Sequence, residues 1–373
     1  MRVLIASDKY KGSLTATQVA QTISRILEET IPGIECDLCP IADGGEGTTE
    51  AMVTALDGAW IKIDTLDAQS RPRQASYGWC AGQAVMEMSA ASGLALVNDL
   101  SLNPHTASTY GTGLMLKHAL EQAATRIVIG IGGSATNDAG LGMAAALGYQ
   151  FLDEAGNRVK PVLDEVLRMT KVKWAGSDKP PVFCPILVAC DVDNPLLGVK
   201  GATQVYGAQK GVKETAWFEE RLTHLADLVA KDLGQDPREI PGAGAAGGLG
   251  WGLMAFCGAQ LTNGFDLVAE QIGLEERVTQ ADLVITGEGR LDAQTLHGKG
   301  PVGIAQMARR LGKKVAAFAG AVEDSSELQA QFDFTRATKP ADMPLAEAIA
   351  RAEELLAAAV RESEAEIRSL LGH

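Results

Sequence analysis

Residues 2–48, RVLIASDKYKGSLTATQVAQTISRILEETIPGIECDLCPIADGGEGT, read as strand, loop, helix, turn, strand, loop. Val3–Ala6 is a short apolar run, as expected of a strand covered on both faces. After SDKYKGS, the residues Val19, Ile23, Ile26 and Leu27 recur at helical spacing. Thr15 and Gln18 have the spacing of a capping box, and Pro32-Gly33 ends the helix. A second strand, Cys36–Ile41, enters ADGGEGT and another short helix. Strands joined through a helix are parallel by default, because a crossover of that length brings the chain back in the same direction.

The same ending recurs farther along. RIVIGIGGSATNDAG from Arg126, ILVACDVDNP from Ile186 and ADLVITGEGRLD from Ala281 each take an apolar run into glycines, acids and hydroxyls. In an open parallel α/β sheet, ligands bind beyond the carboxyl ends of the strands. Glycines there expose backbone N–H groups to anions, and acids can hold a metal ion. Five such loops point to a shared active site.

Other segments break the rhythm. Residues 60–100 read as short antiparallel strands with turns, and a helix near Leu116, Leu120 and Ala123 leads back to a strand at Ile127–Ile131. Its glycine turn is expected to open a helix at Asp138–Leu147. WFEERLTHLADLVAKDLG is an amphipathic helix with Phe218, Leu222, Leu225 and Val229 on one face. GAGAAGGLGWGL is a poor helix by propensity unless it packs very closely. After Phe265 the βα rhythm resumes and ends in a long helix from about Leu345. The fold class expected is α/β: a Rossmann-like parallel-sheet domain with a second, mixed α/β domain inserted in pieces. The first would comprise 1–60, 105–148 and 265–373, the second 61–104 and 149–264, with a cleft between them for ligands.

Composition narrows the function. Of 373 residues, 46% are hydrophobic, ample for a large core, and the formal net charge is −14. That charge disfavours nucleic acid or an anionic membrane as partner. No apolar run reaches the ~18–20 residues needed to cross a bilayer, and MRVLIASDKYKG lacks the pattern of a secretory signal. The expected setting is the cytoplasm, with small molecules as partners and a homodimer compatible. Cys36 and Cys39 form a CxxC without a second pair at zinc spacing, so they read as core residues.

Each loop has a chemical reading beside a plain one. In GIGGSATNDAG, Gly130, Gly132 and Gly133 let backbone approach a phosphate, with Ser134 and Thr136 adding hydroxyls; otherwise it is a tight strand–helix turn. This loop matches neither Walker A nor GxGxxG. In ADGGEGT, Asp43 and Glu46 suit Mg²⁺, or simply favour a helix start. Asp8, Lys9 and Lys11 suit a phosphate or carboxylate, or form an exposed turn. Asp191 and Asp193 could divide the tasks of proton acceptor and metal ligand, or belong to an Asx-type turn. Glu288, Arg290 and Asp292 precede Lys299; Arg290 can clamp an oxyanion, or pair on the surface. His297 carries no firm role. No nucleophile–histidine spacing or G-x-S-x-G elbow occurs. A chain rich in acids and glycines at strand ends suits phosphoryl transfer, where positioning and charge neutralisation carry most of the catalysis.

Taken together, IASDKYKGSLTA, PIADGGEGT, NPHTASTYGTG, GIGGSATNDAGLG, ACDVDNPL, GAGAAGG and ITGEGRLDAQTLHGKGP resemble the type I glycerate kinase family of bacteria. The motifs run in order from residue 5 to 301. The resemblance implies ATP-dependent, Mg²⁺-assisted phosphorylation of D-glycerate, mostly to 2-phosphoglycerate, in glyoxylate and sugar-acid catabolism. It does not fix individual roles, and those expected here follow from the residues. Asp191 is the hydroxyl base; Lys9 and Arg290 offset developing charge. Asp8, Lys11 and Arg71 bind substrate, and Gly132, Gly133, Ser134 and Lys299 bind the nucleotide. Asp43, Asp193 and Glu288 hold Mg²⁺. A nicotinamide oxidoreductase is disfavoured by the wrong glycine pattern and by the lack of an acidic ribose ligand about 20 residues on. A non-catalytic metabolite sensor would have to use the same loops.

Overall fold

The computed structural model describes residues 1–175, 182–293, 295 and 300–372. The described strands are β1 (Arg2–Ser7), β2 (Glu35–Leu38), β3 (Ala59–Leu66), β4 (Pro72–Cys80), β5 (Gln83–Glu87), β6 (Arg126–Gly130), β7 (Tyr149–Leu152), β8 (Lys171–Trp174), β9 (Ile186–Ala189), β10 (Gln260–Thr262), β11 (Leu283–Leu291), β12 (Lys314–Val322) and β13 (Phe334–Ala337). The chain forms two compact units: residues 1–43, 50–58 and 265–373, and residues 44–49 and 59–264.

The first unit is a five-stranded, all-parallel sheet in the order β13-β12-β11-β1-β2. Numbered within the unit, that is 2-1-3-4-5, a doubly wound order whose topological switch point lies between β1 and β11. Helix Ala16–Thr30 forms as its sequence requires. Thr15 accepts from the Gln18 amide while the Gln18 side chain accepts from the Thr15 amide, and the helix stops at Ile31, before Pro32. Its stripe of Val19, Ile23, Ile26 and Leu27 is fully buried against Val3, Ile5, Phe318 and Leu356. Burial of each such side chain stabilises by about 1.5–3 kcal/mol. The C-terminal helix expected as one piece is three: Leu345–Ala350, Ala352–Glu362 and Glu364–Leu370.

The second unit carries a six-stranded sheet, β10-β9-β6-β5-β4-β3, and a small β7–β8 hairpin. The run β10-β9-β6-β5 is parallel, and β5-β4-β3 is the antiparallel meander expected from 60–100. The sequence pattern groups 105–148 with the chain ends. Strand pairing puts it here instead, since β6 hydrogen-bonds to β5 on one side and β9 on the other. Apolar periodicity marks a strand but not its neighbours, which accounts for the difference. Residues 44–49 likewise fold with this unit.

Its glycine-rich segment, Ala245–Cys257, is kinked near its start, and the helix beyond the kink packs its backbone at close range, a Cβ on Gly252 falling 2.5 Å from the Ala139 carbonyl oxygen. Ala246, Gly247 and Gly248 have positive φ, and a Cβ on Gly247 would lie 2.0 Å from the Thr136 carbonyl oxygen. Helix Thr215–Leu233 buries Phe218, Leu222, Leu225 and Val229 as its pattern requires. Among the described residues no helix is long and apolar enough to cross a membrane.

Candidate active site

In the first unit, β11 outruns β1. Val3–Ser7 pair with Leu283–Gly287, but β11 continues alongside β12 as far as Leu291. Glu288 and Arg290 therefore stand on a strand, not in a loop, beside a gap left where β1 ends. The chain leaving β1 turns under them: the Asp8 amide donates to the Gly287 carbonyl at 2.8 Å, and a Cβ on Gly289 would come within 3.2 Å of the Lys11 amide nitrogen. Tyr10, 3% exposed, anchors this turn by donating its hydroxyl to the Phe318 carbonyl at 2.9 Å.

This gap opens into a cavity of about 730 Å³ at the switch point, lined at one end by Asp8, Lys9, Lys11, Asp43, Glu288 and Asp292. The acids crowd one another. Burial, with the Asp43 charge added, pushes the Asp8 carboxyl up to about 6, although the Lys9 amide donates to Oδ1 at 2.6 Å. Burial pushes Glu288 up to about 7; the charges of Asp8, Asp292 and Asp43 add to this, and the Thr295 hydroxyl, donating at 2.8 Å, opposes it. Burial and mutual repulsion penalise the ionised forms of these carboxyls, a penalty that a bound cation would relieve.

Among the described residues no group of three or more His, Cys, Asp or Glu is placed to hold a metal ion. Mg²⁺ does not require such a cage, because it keeps several waters and takes one or two carboxylates plus phosphate oxygens. One or two carboxylates drawn from Asp8, Asp43 and Glu288 would meet that requirement. Arg290 is 68% exposed, with Nε 3.1 Å from Asp292 Oδ2. Lys299 and His297 lie outside the described residues.

The second unit gathers its own strand ends. Gly44, with φ +86°, lies where a Cβ would be 2.6 Å from that of Ala189; its carbonyl oxygen stands 2.6 Å from the place of a Cβ on Gly130. The two glycine loops thus cross, and larger residues at either crossing would collide. Glu87, at the end of β5, pins the first loop by accepting from the Gly47 and Thr49 amides at 3.1 and 2.9 Å. At the end of β9, Asp191 is exposed and oriented: its Oδ1 accepts from Asn263 Nδ2 at 2.7 Å and from the Gly264 amide at 3.1 Å. Asp193 is exposed in the same loop.

Gly132 and Gly133 are exposed and Ser134 is buried. The helix that follows begins at Leu141, not Asp138, and its first amides are already used. Gly140 and Gly142 donate to the Asp138 carboxylate, Leu141 to the Asp138 carbonyl and Met143 to the Thr109 hydroxyl. The amides at this helix end therefore already have protein acceptors.

Arg71 is also committed. Its Nε meets Asp67 at 2.5 Å, Nη1 meets Asp99 at 2.8 Å, and Nη2 donates to the Leu96 carbonyl at 2.8 Å. It ties one turn to another, which removes the ground for assigning it to substrate.

Sequence reasoning missed Lys210. This lysine is 1% exposed, and its Nζ donates to the Thr136 carbonyl at 2.7 Å. Burial pulls its ammonium down to about 7, while the Asp138 charge opposes the fall. Asp138 accepts from four donors, yet burial still raises its carboxyl. Nothing in GAQKG signals this, because the pairing joins residues more than 70 positions apart in sequence. Cys36 and Cys39 have thiols pushed up by burial to about 11 and about 12, the behaviour of unreactive cysteines.

The model of the glycerate kinase family matches residues 3–367. Glycerate kinase of Bacillus subtilis (strain 168) is 40% identical, over 99% of this chain and 98% of its own. Glycerate 2-kinase of Escherichia coli (strain K12) is 43% identical, over 87% and 86%. A crystal structure assigned to glycerate kinase 2 of Salmonella typhimurium LT2 superposes with a TM-score of 0.88 at 39% identity, covering 99% of this chain and 98% of that one. The chain belongs to the glycerate kinase family.

Proposed function

We propose that this kinase transfers the γ-phosphoryl group of ATP to D-glycerate with Mg²⁺, in the cytoplasm, within glyoxylate or sugar-acid catabolism. The observation that carries the reading is the acid cluster Asp8, Asp43 and Glu288 beside Lys9 and Lys11 at the switch point of a doubly wound sheet. The name of the Escherichia coli relative, glycerate 2-kinase, supports 2-phosphoglycerate as product.

Bound Mg²⁺ supplies charge neutralisation for the phosphate oxygens. Asp43, Asp193 and Glu288 would be its ligands, and Asp8 stands with Asp43 and Glu288 in the cavity. Lys9 and Lys11 offset the substrate carboxylate and the phosphoryl charge as compact cations. Arg290, exposed at the same strand, does so by exchanging Asp292 for an oxyanion. Gly132, Gly133 and Ser134 are proposed to meet phosphate oxygens, with Lys299 assisting. Asp191, oriented by Asn263 and Gly264, takes the proton from the glycerate hydroxyl. The hydroxyl oxygen bonds to the γ-phosphorus as the bond to the β-bridging oxygen breaks, and ADP leaves.

The test is ³¹P NMR of the protein with Mg-ATP and D-glycerate against a control without glycerate. A glycerate-dependent phosphomonoester, with phosphorus coupled to the single C2 proton, is expected. Absence of product from folded protein would refute the reading; coupling to the two C3 methylene protons would make the product 3-phosphoglycerate.

A further inference from the structure

The first-unit cavity does not end at its acids. It continues past Gly320 and Ala321 at the end of β12 to a wall of aliphatic side chains on the helices Leu345–Ala350 and Ala352–Glu362. Leu345 and Ile349, one helical turn apart, are 68% and 40% exposed there. Ala348, Ala352 and Leu355 complete the wall. Lys339, at its edge, folds its ammonium onto the carbonyls of Pro340 and Met343 at 2.9 and 2.8 Å, so the loop leading to the wall is braced from within. One cavity thus has a charged end and an aliphatic end.

D-glycerate accounts only for the charged end. It carries a carboxylate and two hydroxyls on three carbons, and it offers an aliphatic wall almost no apolar surface. A cavity of about 730 Å³ is of the size that holds a cofactor-sized ligand. The phosphoryl donor has the matching polarity, with phosphates at one end and a flat, largely apolar base with its ribose at the other. We propose that the trough formed by Leu345, Ala348, Ile349 and Ala352 is the nucleoside subsite of the phosphoryl donor, its phosphates directed toward the acid and lysine end. This rests on the reading of the protein as an ATP-dependent kinase. Recognition here is by burial of the base face against aliphatic carbon.

Leu345→Gln and Ile349→Gln, singly and together, test the assignment. Both side chains already meet solvent, so a neutral polar replacement on a helix surface leaves the core untouched. Calorimetric titration would measure ADP and inorganic tripolyphosphate, and steady-state kinetics the KM values for ATP and D-glycerate. The double variant should lose about tenfold or more in ADP affinity through the two aliphatic faces it removes. Tripolyphosphate affinity and the KM for D-glycerate should stay within about twofold of wild type, a difference small on the scale of tenfold per 1.4 kcal/mol. Unchanged ADP affinity would overturn the subsite, as would equal losses for ADP and tripolyphosphate. A change in oligomeric state on sedimentation, with ADP binding intact, would show the trough to be a contact between copies instead. Wild-type protein that neither binds ADP nor phosphorylates glycerate would remove the functional reading, and the subsite with it. Wild-type turnover with indifferent variants would remove the subsite alone.

Discussion

Glu288→Gln should make this protein more stable at pH 8. In the folded protein Glu288 titrates near 7, against an ordinary value of 4.5. Between these values the folded state holds a proton that the unfolded chain has released. Stability from this group is therefore fully present below pH 4.5 and is lost as pH rises through about 7. At about 1.4 kcal/mol for each pH unit, the loss by pH 8 is about 3 kcal/mol. Glutamine does not titrate, and its amide oxygen can still accept from Thr295. It also removes one of the charges facing Asp8, which acts in the same direction. For a unit of about 160 residues, 3 kcal/mol is about 6–12 °C in Tm. The assay is thermal unfolding from pH 4.5 to 8.5 in metal-free buffer with chelator, followed by Mg²⁺ addition. The two proteins should melt together near pH 4.5, separate progressively between pH 4.5 and about 7, and stay apart above that. Mg²⁺ should stabilise wild type more at pH 8 than at pH 5.5, and the variant less than wild type. Parallel pH profiles, or a less stable variant at pH 8, would refute the argument that this site stores charge repulsion for a cation to relieve.

Further outcomes follow from the second unit and the reaction. Gly247→Ala should cost about 3–5 kcal/mol, combining a left-handed backbone with collision against the Thr136 carbonyl. Gly234→Ala, also left-handed but with open space, should cost about 1–2 kcal/mol; equal losses in denaturant titrations would sink the contact argument. Lys210, held near 7 against an ordinary 10.5, binds fewer protons folded than unfolded between these values, so wild type should gain stability over Lys210→Met by about 1.4 kcal/mol per pH unit from pH 7 to 10. A pH-independent difference would show that the lysine does not titrate in this range. Asp191→Asn should lower kcat about 10²–10⁴-fold, while Asp43→Asn should chiefly raise the Mg²⁺ concentration needed; near wild-type turnover in the first, or an unmoved Mg²⁺ curve in the second, would remove that residue from its role.

What the sequence alone determined is what local chemistry decides. The capping box of Thr15 and Gln18, the buried stripe of Val19, Ile23, Ile26 and Leu27, and the strands entering SDKYKGS and ITGEGRLD follow from spacing within one or two turns of chain. The family resemblance was also legible, since its motifs are contiguous stretches. Strand neighbours, and whatever depends on them, were decided only in three dimensions. Segment 105–148 belongs to the second unit because β6 finds hydrogen-bonding partners in β5 and β9, which its own sequence does not encode. Arg71 has the composition of a substrate clamp, yet its donors are spent on Asp67, Asp99 and Leu96. Lys210 looks like an ordinary surface lysine but is sealed against Thr136 and faces the charge of Asp138. Glu288 became an unusual acid through burial and through charges from two distant segments, at Asp8 and Asp43, added to that of its own neighbour Asp292. Propensity and patterning act over a few residues, whereas dielectric environment and charge proximity depend on which distant segments the fold brings together.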